Sequence, residues 1–274
     1  MKFHRKIFLL LALGSSLFAL ADDYEALLDS ADNYIKRSRW NEAAGCIRRS
    51  LRLKPASPLN AKLFSNLGVC LAQAGDIPGA LEAFDLALVR EPDSPSILYS
   101  RASTYVLSGK YPEALADLDH ALAGDSLRQD ALRLRGQLLL ASTKPEDTFK
   151  AERDFTTLQR HYPADPWGPA GLGGCHINRE EFGQAAPLFA KAISLGSKEE
   201  FHISYITALL AIGSFSEAEE AIYQALELFP RSGELYLRRA LLHKKTFRNS
   251  DMEIDKKFAR EYGVDPQTIE LFLR

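Results

Sequence analysis

Apolar residues recur along this chain at helical spacing, in paired stretches that short polar turns separate. Residues 61–94 show the pattern most clearly, because Phe64, Leu67 and Leu71 lie three or four positions apart before a turn at Gly75-Asp76. The same spacing resumes after the turn, at Ala80, Phe84 and Ala87. Apolar residues at this spacing share one face of a helix. The stretch therefore predicts two amphipathic helices joined by a tight turn.

The two-helix pattern returns about every 34 residues. A small residue marks each second helix: Ala43, Ala80, Ala114, Ala151, Ala185 and Ala218, with Met252 in the last repeat. Small residues also recur in the first helices: Ala31, Gly68, Ala102, Gly136, Gly173 and Ala240, with Ile206 or Thr207 in the sixth. Helices cross closely only where one side has little bulk. We therefore expect each small residue to face the recurring alanine. Larger rings should fill the space around these contacts: Phe84, Phe155 and Phe189.

These positions resemble the tetratricopeptide repeat family, which pairs Leu, a small residue and Tyr in one helix with Ala, an aromatic residue and Pro in the next. The match covers nearly the whole chain after residue 21. The resemblance implies an all-α fold, a right-handed α-solenoid of about seven helix-turn-helix repeats. We expect these repeats at about 24–57, 61–94, 95–128, 129–165, 166–198, 199–232 and 233–266.

A capping helix is predicted over residues 267–274, because Asp265-Pro266 has the pattern of an N-cap followed by a first helical residue. We expect its apolar residues to cover the open end of the stack: Ile269, Leu271, Phe272 and Leu273.

Arginine and aspartate recur in phase in three repeats. The pattern predicts the ion pairs Arg101–Asp117, Arg135–Asp154 and Arg239–Asp255, unless the match is a coincidence between solvated helix faces.

The first 21 residues have a different pattern. A basic start precedes the apolar run from Ile7 to Leu13, and Ala19-Leu20-Ala21 is a small-x-small cleavage motif. We interpret residues 1–21 as a signal peptide that is cleaved after Ala21, the alternative being an uncleaved membrane anchor. No later apolar run is long enough for a transmembrane segment. We therefore expect an exported protein, periplasmic or secreted, of a bacterial envelope.

Composition and charge exclude several classes of function. The net charge of −2 gives no reason to expect nucleic acid as the partner. The chain has three cysteines and no CxxC motif, so we expect the cysteines to be small buried side chains without a redox or zinc-binding role. A disulfide between Cys46 and Cys70 stays open. Histidine occurs in no HExxH motif, and His176 and His243 take the family's Tyr position, which favours a core or interface role. We predict no cofactor, no metal and no enzymatic activity.

Protein binding is the class of function that remains after these exclusions. In the tetratricopeptide repeat family, which this chain resembles, the first helices line a concave groove. We therefore predict a non-catalytic scaffold whose groove binds a peptide segment or a partner protein of the envelope. The candidate groove residues are Asn66, Val69, Gln73, Tyr99, Ser103, Arg133, Gln137, Trp167, Gly174 and Asn178. Trp167, Ala170 and Gly174 share one face, which favours either a peptide site or a loosely packed helix start. The pattern names no individual partner and no oligomeric state.

Charge is unevenly distributed, and this raises an alternative function. The first repeat carries seven basic residues: Lys36, Arg37, Arg39, Arg48, Arg49, Arg52 and Lys54. Such a surface could dock on an anionic membrane or glycolipid, or it could simply be a solvated helix face.

Overall fold

Helices account for every regular element in residues 23–274, the part of the chain that the computed structural model describes. The first, α1, covers residues 23–36 of this range. The others are α2 Trp40–Leu53, α3 Asn60–Gln73, α4 Ile77–Leu88, α5 Pro95–Leu107, α6 Tyr111–Gly124, α7 Gln129–Leu140, α8 Pro145–His161, α9 Trp167–Asn178, α10 Phe182–Leu195, α11 Glu199–Ala211, α12 Phe215–Leu228, α13 Gly233–Lys245, α14 Asn249–Glu261 and α15 Pro266–Phe272. The prediction of an all-α fold is confirmed.

The described chain falls into two compact units, of which the first ends at Ala131 and the second comprises Leu132–Arg274. Consecutive helices pack on one another from α2 to α6 and from α8 to α15, and first helices also pack on first helices of the neighbouring hairpin, as α3 does on α5 and α9 on α11. This is the stacked-hairpin arrangement of an α-solenoid, because a single hairpin cannot bury its own apolar face.

A residue in the left-handed region of the backbone reverses the chain within most hairpins. It is glycine in Gly75, Gly109 and Gly213, with φ between 72° and 87°. In each of these turns the chain leaves the first helix without a clash, because glycine has no Cβ. Three other turns place a side chain there instead: Ser38, Glu180 and Phe247.

Glycine in the first helix allows the second helix of the same hairpin to approach. A Cβ atom at Gly68 would lie 2.8 Å from the ring of Phe84, and one at Gly136 would lie 2.8 Å from the ring of Phe155. Gly173 meets Phe189 in the same way. The nearest neighbour of each glycine is therefore the phenylalanine ring and not the alanine that we expected. A Cβ atom at the glycine position would overlap the ring, so the bare glycine backbone makes room for the phenylalanine.

The three predicted Arg–Asp ion pairs are confirmed. Arg101 donates two hydrogen bonds to Asp117, at 2.8 and 2.7 Å, and Arg135 donates two to Asp154, at 2.8 and 2.6 Å. Arg239 holds Asp255 through Nε and Nη2, at 3.0 and 2.6 Å. All three carboxylates are buried, so each one requires the paired donors of a guanidinium group.

The last helix begins as predicted. The side chain of Asp265 accepts a hydrogen bond from the backbone N–H of Thr268 at 2.9 Å, and Pro266 is the first helical residue. Ile269 and Leu273 are buried. The expectation that Leu271 covers the stack is wrong, because this side chain lies on the outer face of α15 and is 66% exposed.

The predicted signal peptide lies outside the described residues. Among the helices formed by residues 23–274, none combines the length and the apolar character that crossing a bilayer requires.

Candidate functional site

An apolar pocket opens on the first-helix face of the second unit. Its volume is about 490 Å³. Helices α7, α9 and α11 supply most of the wall, and Phe155 of α8 and Phe189 of α10 contribute their rings. Pockets of this size with mainly apolar walls are typical of ligand-binding sites.

Two glycines of α9 shape this pocket. A Cβ atom at Gly171 would lie 2.2 Å from the ring of Phe155, and one at Gly174 would lie 2.5 Å from a methyl group of Leu140. Both glycines therefore bring α9 against its neighbours on α7 and α8. Close packing accounts for them, and a loosely packed helix start does not. Gly174 remains half-buried on the pocket wall.

The aromatic wall is held in a fixed geometry. Trp167 packs edge to face on Phe201, with 5.1 Å between ring centroids and 83° between planes. The backbone N–H of Trp167 donates to the side chain of Asp165 at 2.9 Å, which fixes the start of α9. Lys198 lies over the Trp167 ring at 5.6 Å from the centroid. Trp167 is nevertheless only half-buried, so its ring is accessible from the pocket.

Polar groups surround the apolar part of the pocket. Asn178 donates from Nδ2 to the backbone carbonyl of Leu140 at 2.9 Å, so its amide is held in one orientation. Gln137, Glu200 and Ser204 also line the pocket. These side chains can exchange hydrogen bonds with the backbone of a bound segment, while the apolar wall receives one of its side chains.

The structure brings four of the ten predicted groove residues together in this pocket: Gln137, Trp167, Gly174 and Asn178. Arg133 lies on α7 but does not line it. The other five belong to the first unit, where Asn66, Val69 and Gln73 are exposed on α3 and Tyr99 and Ser103 are half-buried on α5.

The sequence missed the contribution of α11. Glu200, Phe201 and Ser204 line the pocket, but none of them was among the candidates. The sixth repeat carries Ile206 or Thr207 where the other repeats have a small residue, so its register was blurred. Placing Thr207 in phase with Gly173, 34 positions earlier, would have put Phe201 in the position of Trp167.

Other chemically active side chains are engaged in packing. His243 is buried, with Nδ1 3.0 Å from Asp255, and His176 lies 2.6 Å from Glu181. Cys46, Cys70 and Cys175 are all free thiols, so Cys46 and Cys70 form no disulfide here. Burial raises the pKa of the Cys70 thiol to about 11 and that of Cys175 to about 12, which keeps both protonated near neutral pH.

Comparison with known proteins identifies the repeats. Two sequence models of the tetratricopeptide repeat match the chain, one over residues 28–95 and the other over residues 67–139. The chain belongs to the tetratricopeptide repeat family. A tetratricopeptide repeat protein from Parabacteroides merdae has the same fold, with a TM-score of 0.71 at 23% identity over 92% of this chain and 98% of that one.

Two curated relatives are longer than this tetratricopeptide repeat protein. The mitochondrial import receptor subunit TOM70 of Saccharomyces cerevisiae is 29% identical over 90% of this chain and 49% of its own length. The DnaJ homolog subfamily C member 3 of Mus musculus is 36% identical over 36% of this chain and 19% of its own length. The chain thus spans about half of one relative and a fifth of the other. Tetratricopeptide repeat proteins generally act as protein-protein interaction scaffolds.

Proposed function

We propose that this tetratricopeptide repeat protein is a non-catalytic scaffold that binds an extended segment of a partner protein through the pocket on α7, α9 and α11. The pocket takes an apolar side chain of that segment against Trp167 and Phe201. The observation that carries the proposal is the half-buried Trp167 ring, which is fixed in place and accessible from a pocket of about 490 Å³.

The pocket suits a side chain better than a small polar metabolite. Its floor and walls consist mainly of aromatic and aliphatic carbon, and its polar groups are neutral apart from Glu200. Buried apolar anchors supply most of the binding energy in protein recognition, while surrounding polar contacts set the orientation. One relative is named a mitochondrial import receptor subunit, and a receptor acts by binding, which supports a binding function for this chain.

Filling the pocket tests this function. A displayed library of random peptides is selected against the full chain, and the recovered peptides are measured against the Ser204→Trp variant. Because Ser204 is a pocket-lining residue, a tryptophan there occupies the space of the anchor. We expect recovered peptides to share an aromatic or branched apolar residue and to bind the variant at least ~10-fold more weakly.

Ser194→Trp is the matched control, because Ser194 is exposed on α10 and does not line the pocket. This variant should bind the same peptides as the wild type. Recovery of no related peptides, or equal binding by the Ser204→Trp variant, would contradict the proposed function.

We further infer that the scaffold acts after export, because residues 1–21 have the pattern of a signal peptide. The N-terminus of the protein isolated from its cell measures this directly. Export with cleavage after Ala21 yields a chain that starts at Asp22, whereas a retained Met1 together with recovery from the cytoplasmic fraction would contradict it.

A further inference from the structure

Three arginines form an exposed, uncompensated surface on α2. Arg48, Arg49 and Arg52 are exposed, and Arg52 follows Arg48 by four positions and Arg49 by three, so it neighbours both on the surface of the helix. No acidic group among the described residues lies within ion-pair distance of any of them. We refer to these three residues as the arginine surface.

Three of the other four basic residues of the first hairpin lie near an acidic group, and Arg37 is the exception. Arg39 pairs with Glu42 at 2.6 Å, Lys36 pairs with an acid one turn away on α1, and Lys54 lies 4.0 Å from Glu25. Glu42 is the one acidic residue of α2. Apart from Arg37, the positive charge that no nearby acid offsets in this hairpin therefore lies on the arginine surface.

A cavity of about 460 Å³ lies beside the arginine surface, between α1 and α2. Arg49 and Arg52 line it with guanidinium groups, Leu27 and Leu53 with apolar atoms, and Asp23 is its one acidic lining residue. Leu53 is 36% exposed at the edge of this cavity. The guanidinium groups of Arg49 and Arg52 and the exposed side chain of Leu53 thus lie on one surface.

We propose that the arginine surface docks this protein on a bilayer that contains anionic phospholipid. The guanidinium groups bind lipid phosphates, for which their planar donors are suited. Leu53 contacts the boundary between headgroups and acyl chains, where an exposed leucine gains from leaving water. A bilayer surface offers phosphate groups and acyl chains side by side, as the guanidinium groups and Leu53 do on this surface.

The position of the surface along the chain supports a lipid occupant. Asp23, which lines the cavity, follows the apolar segment that ends at Ala21 by two residues. Before cleavage, a bilayer that takes up residues 1–21 is therefore tethered within two residues of the cavity lining.

Co-sedimentation with vesicles tests the proposal. The full chain is mixed with vesicles of phosphatidylcholine alone and with vesicles that also contain phosphatidylglycerol, at low and at high salt. We expect phosphatidylglycerol to strengthen binding, and salt to weaken that gain, since exposed charges are screened beyond about 10 Å at 0.1 M salt. Replacing Arg48, Arg49 and Arg52 together by alanine should reduce binding to the anionic vesicles by roughly 100-fold.

A second triple variant is the matched control. Arg153→Ala, Arg160→Ala and Lys191→Ala remove the same charge from exposed positions on α8 and α10 and should leave binding unchanged. The wild type and both triple variants carry residues 1–21, so any insertion of that segment into the bilayer is common to the three proteins. Binding to vesicles of phosphatidylcholine alone measures this insertion. Thermal unfolding verifies that both triple variants remain folded.

Three outcomes would overturn the proposal. The first is equal binding of the wild type and the arginine variant to phosphatidylglycerol vesicles. The second is a gain from phosphatidylglycerol that salt does not weaken. The third is that the protein binds poly-glutamate of matched charge as tightly as it binds the vesicles, with the same dependence on the arginine surface. That result would identify an acidic polypeptide as the partner. Loss of peptide binding in the pocket of the second unit would leave this result unaffected.

Discussion

Single residues set how closely the helices approach in this protein, and Phe155 shows this best. Its ring lies against Gly136 of the preceding first helix and against Gly171 of the following one. Both neighbours lack a Cβ, so the ring fills the space between α7 and α9 while remaining fully buried. A phenylalanine in this position therefore depends on glycine at two sites that are 35 residues apart.

Replacing Gly171 by alanine is expected to destabilise the protein. The added methyl group would lie 2.2 Å from the buried ring of Phe155, so the helices must move apart at a cost of about 1–3 kcal/mol. This cost exceeds the gain in helix propensity of ~1 kcal/mol. Urea unfolding measures the change.

Gly45→Ala is the control for this substitution. Gly45 lies inside α2, and a methyl group there would meet nothing within 4 Å, so the variant should gain up to ~1 kcal/mol. A stabilised Gly171→Ala variant would show that the spacing of α7, α8 and α9 is not limited by Phe155.

At the scale of elements, side chains fix the connections between one hairpin and the next. The segment between α10 and α11 illustrates this, because Ser197 lies 2.8 Å from Nε2 of the buried His202 at the start of α11. The His202 ring also packs on Phe229, with 5.8 Å between ring centroids. His202 thus joins α11 to the segment that precedes it and to the end of α12.

His202 is expected to make the stability of the protein depend on pH. Burial lowers the pKa of His202 below its ordinary value of 6.5, so the unfolded chain takes up a proton more readily than the folded protein. The contribution is fully present above pH 6.5 and is lost as the pH falls through 6.5 towards the folded pKa.

The His202→Phe variant tests this sign. It retains a ring against Phe229 but cannot be protonated, so its unfolding free energy should fall less than that of the wild type between about pH 8 and about pH 5.5. Acidic residues contribute equally to the unfolding free energy of both proteins, so the difference between the two losses reports on His202. An equal loss in the two proteins would show that His202 is not responsible.

At the scale of the whole molecule, stability in a stack of hairpins is distributed along the chain, because each repeat packs mainly on its neighbours. The two compact units each contain one of the two tryptophans, Trp40 in the first and Trp167 in the second. In such proteins the stability is close to a sum of hairpin and interface contributions, so a defect acts mainly nearby. The tryptophans therefore report on separate parts of the chain.

Substitution of Gly68 by leucine is expected to affect the two units unequally. Its side chain would clash with the ring of Phe84 in the first unit. In a Trp167→Phe background, the fluorescence of Trp40 should show a clear fall in the urea midpoint. In a Trp40→Phe background, the Trp167 midpoint should fall less. Equal shifts would show that the whole chain unfolds as one cooperative unit.

The repeated helices and their local pairings can be predicted from the amino-acid sequence. Its 34-residue period places apolar and small residues on defined helix faces, and the pairs of Arg101, Arg135 and Arg239 with aspartate follow from the fixed register within a hairpin. The N-cap at Asp265 is equally local, since it depends on four consecutive residues.

The contacts between side chains of different hairpins cannot be predicted in the same way. The glycines face phenylalanine rings, Leu271 points away from the stack, and Phe201 and Ser204 complete the pocket with Trp167. Periodicity fixes the face of a helix on which a side chain lies, but the distance and rotation between helices of different hairpins depend on the summed packing of their side chains.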